Sequence, residues 1–390
     1  MNVQSLRYYR RLRKLFEKRL YESDGQIPIR ELSGWDKPIT TGIFKNIAIE
    51  FSAQQLERYY FDYEQPNTTL CMIKKRITNL LAKIENYDLL LEKQVQLAFG
   101  GTGAIALLVH LARKRGIETI ILDPPFYFSI KSLAKSMKME SISVNHTLQS
   151  LKNPAPLIDK IQQYRNRPKM IYITHPRYVV GGEYPKGYVE EIFQLIGDND
   201  IVVLDRSIDL DQSPTPGPFL ARHPSLFVIR TLGKSLSAYG CRLAAIICVD
   251  SARQELNKIS EWTIGGMDIG MIELANHMIT DHIRTNSQVN AVKNIVKKSY
   301  NYLNSKNIQA GNLLEIPKPE GTYLGYCLID TSKVGRIALH DFFLRKRINA
   351  LFSGDLGIIP GSNTELVRIN YLLENQHAIN ATLHFMSTVR

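Results

Sequence analysis

The chain has 390 residues, 44% of them hydrophobic and 22% charged, which is enough apolar material for a full core and for two domains. No stretch approaches the roughly 18 to 20 uninterrupted apolar residues of a membrane span, and the opening MNVQSLRYYRRLRKLFEKRL is charged where an export signal needs an apolar segment, so a cytoplasmic location is expected. The formal charge of +12 admits anionic partners, while Cys71, Cys241, Cys248 and Cys327 stand too far apart for a disulfide framework or a zinc cluster.

Much of the positive charge is local. Arg7, Arg10, Arg11, Arg13, Lys14, Lys18 and Arg19 crowd a segment in which Leu6, Tyr9, Leu12, Phe16 and Leu20 recur at helical spacing. Such a helix is expected to dock its apolar side on the body or on a partner subunit. Neither zinc-finger spacing nor an aromatic RNA-binding signature accompanies it, so no nucleic acid or membrane partner is expected.

From residue 95 the text alternates strands with helices. VQLAF (95–99) leads into a helical GAIALLVHLARKRG (103–116), and TIILDPPF (119–126) into SIKSLAKSM (129–137). The alternation continues through KMIYIT (169–174), the helical GYVEEIFQLIG (187–197), IVVLD (201–205), LFVIR (226–230) and LAAIICV (243–249). This pattern predicts an α/β fold with about seven strands in a mostly parallel sheet, and ligands at the carboxyl ends of the strands. Beyond residue 262, long helical stretches, MDIGMIELANHM and VNAVKNIVKKSYNYLNSKN, lead to TYLGYCLID (322–330), IALHDFFLRKR (337–347) and LVRINYLL (366–373), which read as a smaller α+β unit. The expected division is a large domain over 50–285 and a small one built from 1–49 and 286–390.

The segment TLGKSLSAYGCRLA (231–244) carries the strongest chemical signal. Lys234 lies where a strand ends, and Arg242 follows eight residues later across small residues that let the chain turn tightly. A lysine that attacks an aldehyde must be deprotonated, and burial beside another cation lowers its pKa toward that state. Arg242 offers a bidentate fork for a phosphate dianion. The segment resembles the lysine signature of class I aminotransferases, within the fold-type I pyridoxal phosphate enzymes, with Thr231 keeping a hydroxyl where the family has Ser or Gly.

The resemblance extends from about residue 60 onward and implies a role for further residues. FGGTGAI (99–105) resembles the family's phosphate-cup turn; Gly101 and Thr102 carry over, while Gly100 replaces a serine and one hydroxyl is lost. Asp205 would pair with the pyridine nitrogen. In DPPFYFSI (123–130), Tyr127, or alternatively Phe126, would stack on the cofactor face. Arg368, in GSNTELVRINYL, would grip the substrate carboxylate, and Tyr63 would reach a phosphate across a dimer. The pattern breaks at ITHPRYVVGGEY (173–184), where Tyr178, or in another alignment His175, stands in place of an asparagine that bonds the cofactor's phenolic oxygen. Ile208 replaces a second donor to that oxygen.

The implied protein is a homodimeric aminotransferase with pyridoxal 5'-phosphate on Lys234, acting on small-molecule amino and keto acids. Loss of both customary donors leaves open elimination, decarboxylation, cyclisation or oxidation of an amino acid, and a non-catalytic regulator is a third reading. Arg177 and Arg206 permit a substrate with an acidic side chain.

Overall fold

The computed structural model describes residues 30–31, 65–151, 153, 155–185, 187–211, 223–231, 242–263, 287–372 and 375–389. The basic segment at 6–20, the helical stretch at 267–278, Tyr63, Lys234 and Cys241 lie outside them, and so does the side chain of Cys71. A short strand, β1 (Arg30–Glu31), and a long helix, α1 (Gln65–Ile84), precede the sheet region.

Seven strands then form one mixed sheet. They are β2 (Val95–Phe99), β3 (Thr119–Leu122), β4 (Glu140–Ser143), β5 (Lys169–Thr174), β6 (Ile201–Asp205), β7 (Leu226–Thr231) and β8 (Leu243–Ile247), in the spatial order β2-β8-β7-β6-β5-β3-β4. Strands β4, β3, β5, β6 and β7 are mutually parallel, and β8 runs antiparallel to both of its neighbours. The central strands are buried along their whole length, which is why they read as unbroken apolar runs. The sequence reading did not single out β4: ESIS is an exposed edge strand, without the apolar run that marked the others.

The two-residue period of a strand divides these side chains between two cores. Ile171, Ile173, Val202, Leu204 and Val228 face one side with Leu80 and Leu81 of α1. Met170, Tyr172, Ile201, Val203 and Ile229 face the other, against α2 (Gly100–Lys114), whose Ala104, Leu107, Leu108 and Leu111 are buried at helical spacing. Four helices complete this part: α3 (Ser129–Ser136), α4 (Ala155–Gln163), α5 (Tyr188–Leu195) and α6 (Asp250–Thr263).

A third core gathers the C-terminal part. Helix α7 (Ser287–Gln309) precedes a three-stranded antiparallel sheet of β9 (Leu314–Glu315), β10 (Leu324–Asp330) and β12 (Thr364–Asn370), with α8 (Arg336–Arg345) and α9 (Gln376–Thr388) beside it. Between them β11 (Ile348–Asn349) pairs in parallel with β1, tying the start of the chain to this end. Tyr178, Val179, Val180, Ile208 and Leu210, from the carboxyl edge of the large sheet, belong to the same core as Val367, Ile369 and Tyr371.

One buried ion pair pins the opposite edge. Asp200 accepts Nζ of the fully buried Lys169 at 2.6 Å, the Lys169 amide at 2.9 Å and the Gly197 amide at 2.9 Å, fixing where β5 and β6 start. Removing one member of such a pair leaves a charge without water or partner. Asp200→Ala is expected to lower stability by about 3–5 kcal/mol, read as a shift of the urea midpoint; a change below about 1 kcal/mol would show that Lys169 finds another partner.

Candidate active site

Sheet polarity places the candidate residues on one edge. Because β3, β5, β6 and β7 are parallel, the segments after them, at Asp123, His175, Asp205 and Thr231, emerge together. Two antiparallel steps make β2 parallel to β7, so Gly100 emerges on this edge as well. β8 alone runs the other way. Its amino end therefore lies at the same edge, and Arg242, immediately before Leu243, is delivered there.

The turn after β2 forms a cup. The first residues of a helix leave backbone N–H groups without intrahelical acceptors, and Phe99, which precedes α2, supplies no side-chain cap. Gly100 has φ +67°, which favours glycine, and a Cβ there would lie 3.0 Å from Cζ of Arg242, so the guanidinium sits against this turn. A Cβ on Gly101 would lie 3.0 Å from both Ser207 Oγ and Thr231 Cγ2. Thr231 donates its hydroxyl to the Ser207 carbonyl at 2.8 Å, so its single proton is directed into the protein. Thr102 Oγ1 and the Tyr127 hydroxyl are 3.4 Å apart.

Asp205, the last residue of β6, is buried, and one of its oxygens accepts the Ser207 amide at 2.9 Å. Its other oxygen accepts the hydroxyl of Tyr172, a fully buried side chain of β5. Burial, then the nearby Asp205 charge and the hydrogen bond to it, hold the Tyr172 phenol far above its ordinary range, so it stays a donor. Sequence reading missed this tyrosine. The signal was there in the two-residue period, since Tyr172 and Asp205 fall on the same face of adjacent strands.

Arg368 of β12 and Tyr178 meet in the third core, both about 1% exposed, with Nη1 of Arg368 donating to the Tyr178 oxygen. Burial raises the Tyr178 pKa, and Arg368 opposes the shift without cancelling it. Tyr127 meets the Tyr178 ring edge to face, with centroids 6.3 Å apart. Tyr127 is half-buried between Thr102 and Tyr178, whereas Phe126 is buried in the core beneath α2, where Gly357 leaves room for its ring. A continuous set, Thr102–Tyr127–Tyr178–Arg368, thus runs from the cup to the C-terminal sheet.

Buried ion pairs hold the loops that carry these groups. Asp123 accepts His146 Nε2 at 2.9 Å, Arg177 Nη2 at 3.1 Å and the Tyr184 hydroxyl at 2.6 Å. Burial raises the Asp123 pKa, but these partners more than offset it, and the net shift is downward. Arg206 donates to Asp209, and Arg230 joins Asp209 at 2.8 Å and Glu85 at 2.6 Å. Arg177 and Arg206 are therefore committed to internal carboxylates. They are not arranged as a pocket for an acidic substrate side chain.

Comparison with known proteins follows the same outline. A family model described as aminotransferase class I and II matches residues 48–346. The chain belongs to the class I and II aminotransferase family. Among solved structures, aspartate aminotransferase of Thermus thermophilus superposes with a TM-score of 0.69 at 14% identity, covering 97% of this chain and 96% of that one. The aspartate aminotransferase of Thermotoga maritima gives 0.67 at 12% identity, with 96% of each chain covered. Identities this low show the shared fold. Among curated relatives, histidinol-phosphate aminotransferase of Xylella fastidiosa (strain 9a5c) is 24% identical over 158 residues, 40% of this chain and 43% of that protein. That of Buchnera aphidicola subsp. Schizaphis graminum is 25% identical over 208 residues, 52% and 58% respectively. The matched part of this chain thus spans about half the length of these relatives.

Pyridoxal phosphate is the cofactor of this family, and the described residues fit it. The uncapped start of α2, Arg242 and Ser207 Oγ surround a place suited to a dianion. Asp205 offers a buried carboxylate and Tyr127 a half-buried aromatic ring at the same edge. Among the described residues no group of acidic, histidine or cysteine side chains is arranged to hold a metal, and no helix is long and apolar enough to cross a membrane.

His175 stacks on Tyr184 with ring centroids 5.5 Å apart, and its Nδ1 is buried without a partner. Burial, together with the charges of Arg206, Arg230 and Arg177, lowers its pKa from 6.5 to about 3. The unfolded chain takes up this proton first, so stability is expected to fall as pH drops from 6.5 toward 3, at up to about 1.4 kcal/mol per pH unit. Urea midpoints of the wild type and His175→Gln, measured from pH 7 to pH 4, check this. The wild type should lose ground to the variant as pH falls, and parallel curves would show that His175 titrates normally.

Proposed function

We propose that this chain is a pyridoxal phosphate-dependent aminotransferase that moves an amino group from a small amino acid to a keto acid, in the cytoplasm and as a homodimer. The observation that carries this reading is the convergence of a buried aspartate, an uncapped glycine-rich helix start with Arg242, and a buried Arg368–Tyr178 pair on one sheet edge. The proposed division is a large domain over 50–285 and a small one from 1–49 and 286–390, supported by the pairing of β1 with β11.

Bound at this edge, the cofactor supplies a protonated pyridine ring that accepts the electrons released at the substrate's α-carbon. Asp205 accepts the hydrogen bond of the ring N–H and keeps the proton there, while Tyr172 and the Ser207 amide hold the carboxylate in place. Gly101, Thr102, Arg242 and Thr231 shape the phosphate cup, with Tyr63 a candidate contributor from a second subunit. Tyr127 covers one face of the ring.

Arg368 pairs with the substrate carboxylate, which fixes the direction of the α-C–H bond. Tyr178 receives the Arg368 N–H on its oxygen and offers its own proton to the cofactor's phenolic oxygen. Lys234 would hold the cofactor through its Nζ, and the same Nζ, when free, would accept the proton from the substrate's α-carbon.

Stoichiometric release of keto acid, or of the corresponding ketone where the amino donor carries no carboxylate, in a single turnover without acceptor tests the reaction. The purified chain is loaded with pyridoxal phosphate and offered a panel of amino acids together with histidinol phosphate, the substrate in the relatives' name. Release that vanishes in Lys234→Ala is the expected result; carbon dioxide or ammonia without keto acid would overturn it. A hydrogen bond to a charged group is worth about 1.5–3 kcal/mol, so Arg368→Lys should cost roughly 10- to 150-fold in kcat/KM for a carboxylate substrate. Loss of less than about twofold would remove Arg368 from the substrate site.

A further inference from the structure

Of two hydroxyl groups that the family resemblance implies near the phosphate, one is missing and the other is turned away. At residue 100 glycine stands where the resemblance implies serine, and its φ of +67° is a backbone conformation that a residue with a side chain rarely adopts. At residue 231 a hydroxyl is present, but it donates to the Ser207 carbonyl at 2.8 Å. A phosphate dianion only accepts hydrogen bonds, so a hydroxyl whose one proton is engaged elsewhere offers it nothing.

A third hydroxyl lies against the cup. Ser207 is 5% exposed, and its Oγ is buried without a hydrogen-bond partner. A Cβ built on Gly101, in the first turn of α2, would lie 3.0 Å from that Oγ, so the hydroxyl faces the uncapped end of a fifteen-residue helix. Leaving a buried hydroxyl unpaired costs stability, and such a group in a folded protein calls for an explanation. The turn that carries it is firmly held, by the Ser207 amide on Asp205 and by the Ser207 carbonyl on Thr231.

We propose that Ser207 is a phosphate ligand of this site, donating its hydroxyl to the cofactor's phosphate in place of the donors absent at Gly100 and withheld at Thr231. The assignment rests on the pyridoxal phosphate reading above and extends it. It gives one short turn two tasks, since Asp205 addresses the ring nitrogen and Ser207, two residues later, addresses the phosphate. Thr231 then acts on the phosphate only through Ser207, as a positioning residue.

Equilibrium titration of the full-length apo-protein compares pyridoxal phosphate with pyridoxal, the same aldehyde without its phosphate, in the wild type and Ser207→Ala. The variant should bind pyridoxal phosphate roughly tenfold or more weakly while pyridoxal binding changes by less than about twofold. The thermal midpoint of the apo variant supplies an independent reading: removing an unpaired buried hydroxyl should leave it unchanged or raised, and the rise in midpoint produced by inorganic phosphate should shrink.

Equal affinity of both proteins for pyridoxal phosphate, with a more stable variant, would make Ser207 a mere packing residue and overturn the assignment. An equal loss for both aldehydes would overturn it too, because the hydroxyl would then serve the ring. If the wild type itself forms no Lys234-dependent complex with pyridoxal phosphate, the underlying reading fails first.

Discussion

The site depends on the direction of one strand. In a sheet whose other strands run parallel, side chains from loops after the strands share an edge, and side chains from loops before them share the opposite edge. β8 is reversed, so the residue before it, Arg242, joins residues that follow β2, β3, β5, β6 and β7. Had β8 been parallel, Arg242 would emerge at the opposite edge, beside Lys169 and Asp200. Reversal also explains the short spacing in sequence. A parallel pair needs a crossover and an antiparallel pair does not, so the chain passes from Thr231 at the end of β7 to Arg242 just before β8 without one.

Positioning these loops demands charge in the interior. A buried carboxylate is tolerated when both of its oxygens meet donors, and Asp123 meets three, from His146, Arg177 and Tyr184. His146 comes from the segment after β4 and Arg177 and Tyr184 from the segment after β5, so one acid fixes the relative places of the loops after β3, β4 and β5. Such a network contributes little net stability compared with apolar packing, but it disfavours any arrangement that leaves one member alone. The Arg206–Asp209–Arg230–Glu85 set does the same between the turn after β6, the strand β7 and the end of α1. Arginine here is a framing element, and the basic balance of the chain says less about its substrate than the count suggests.

What was legible in the sequence follows from the kind of signal each feature leaves. KMIYIT and IVVLD matched their strands residue for residue because doubly buried strands write continuous apolar text. Asp205 and the cup glycines stood out because charge or a run of glycine interrupts that text at a strand end. ESIS left no such mark, being exposed at the edge. Side-chain pairing is not written in order along the chain: that Thr231 turns its proton to Ser207, or that Arg177 is taken by Asp123, depends on rotamers and on contacts across 24 and 54 residues. Lys234 and Tyr63, which rest on resemblance, lie outside the described residues.

On the proposed reading Tyr178 stands in for the asparagine that the resemblance implies, which preserves a polarity while changing a length. An amide at this position can turn its carbonyl toward a guanidinium and keep its N–H groups for another acceptor. The phenol does the same with one oxygen, which receives the Arg368 N–H while its single hydrogen remains for a second partner. Burial keeps that hydrogen in place, since the Tyr178 pKa is raised even with Arg368 beside it. The longer side chain is carried by an unusual turn, in which the Val180 amide bonds the Tyr178 carbonyl at 2.8 Å around Val179 at φ 71°, a conformation that a β-branched residue rarely adopts. Gly181 and Gly182, both at positive φ, continue it, and the Gly182 amide bonds the Glu320 carbonyl at 3.1 Å. Backbone strain persists where surrounding structure over-determines it, commonly at functional sites. Here the determinants are visible on both sides of the strained residue, Arg368 holding the phenol and the Glu320 carbonyl holding the glycines, so Val179 is fixed at positive φ by contacts made by its neighbours.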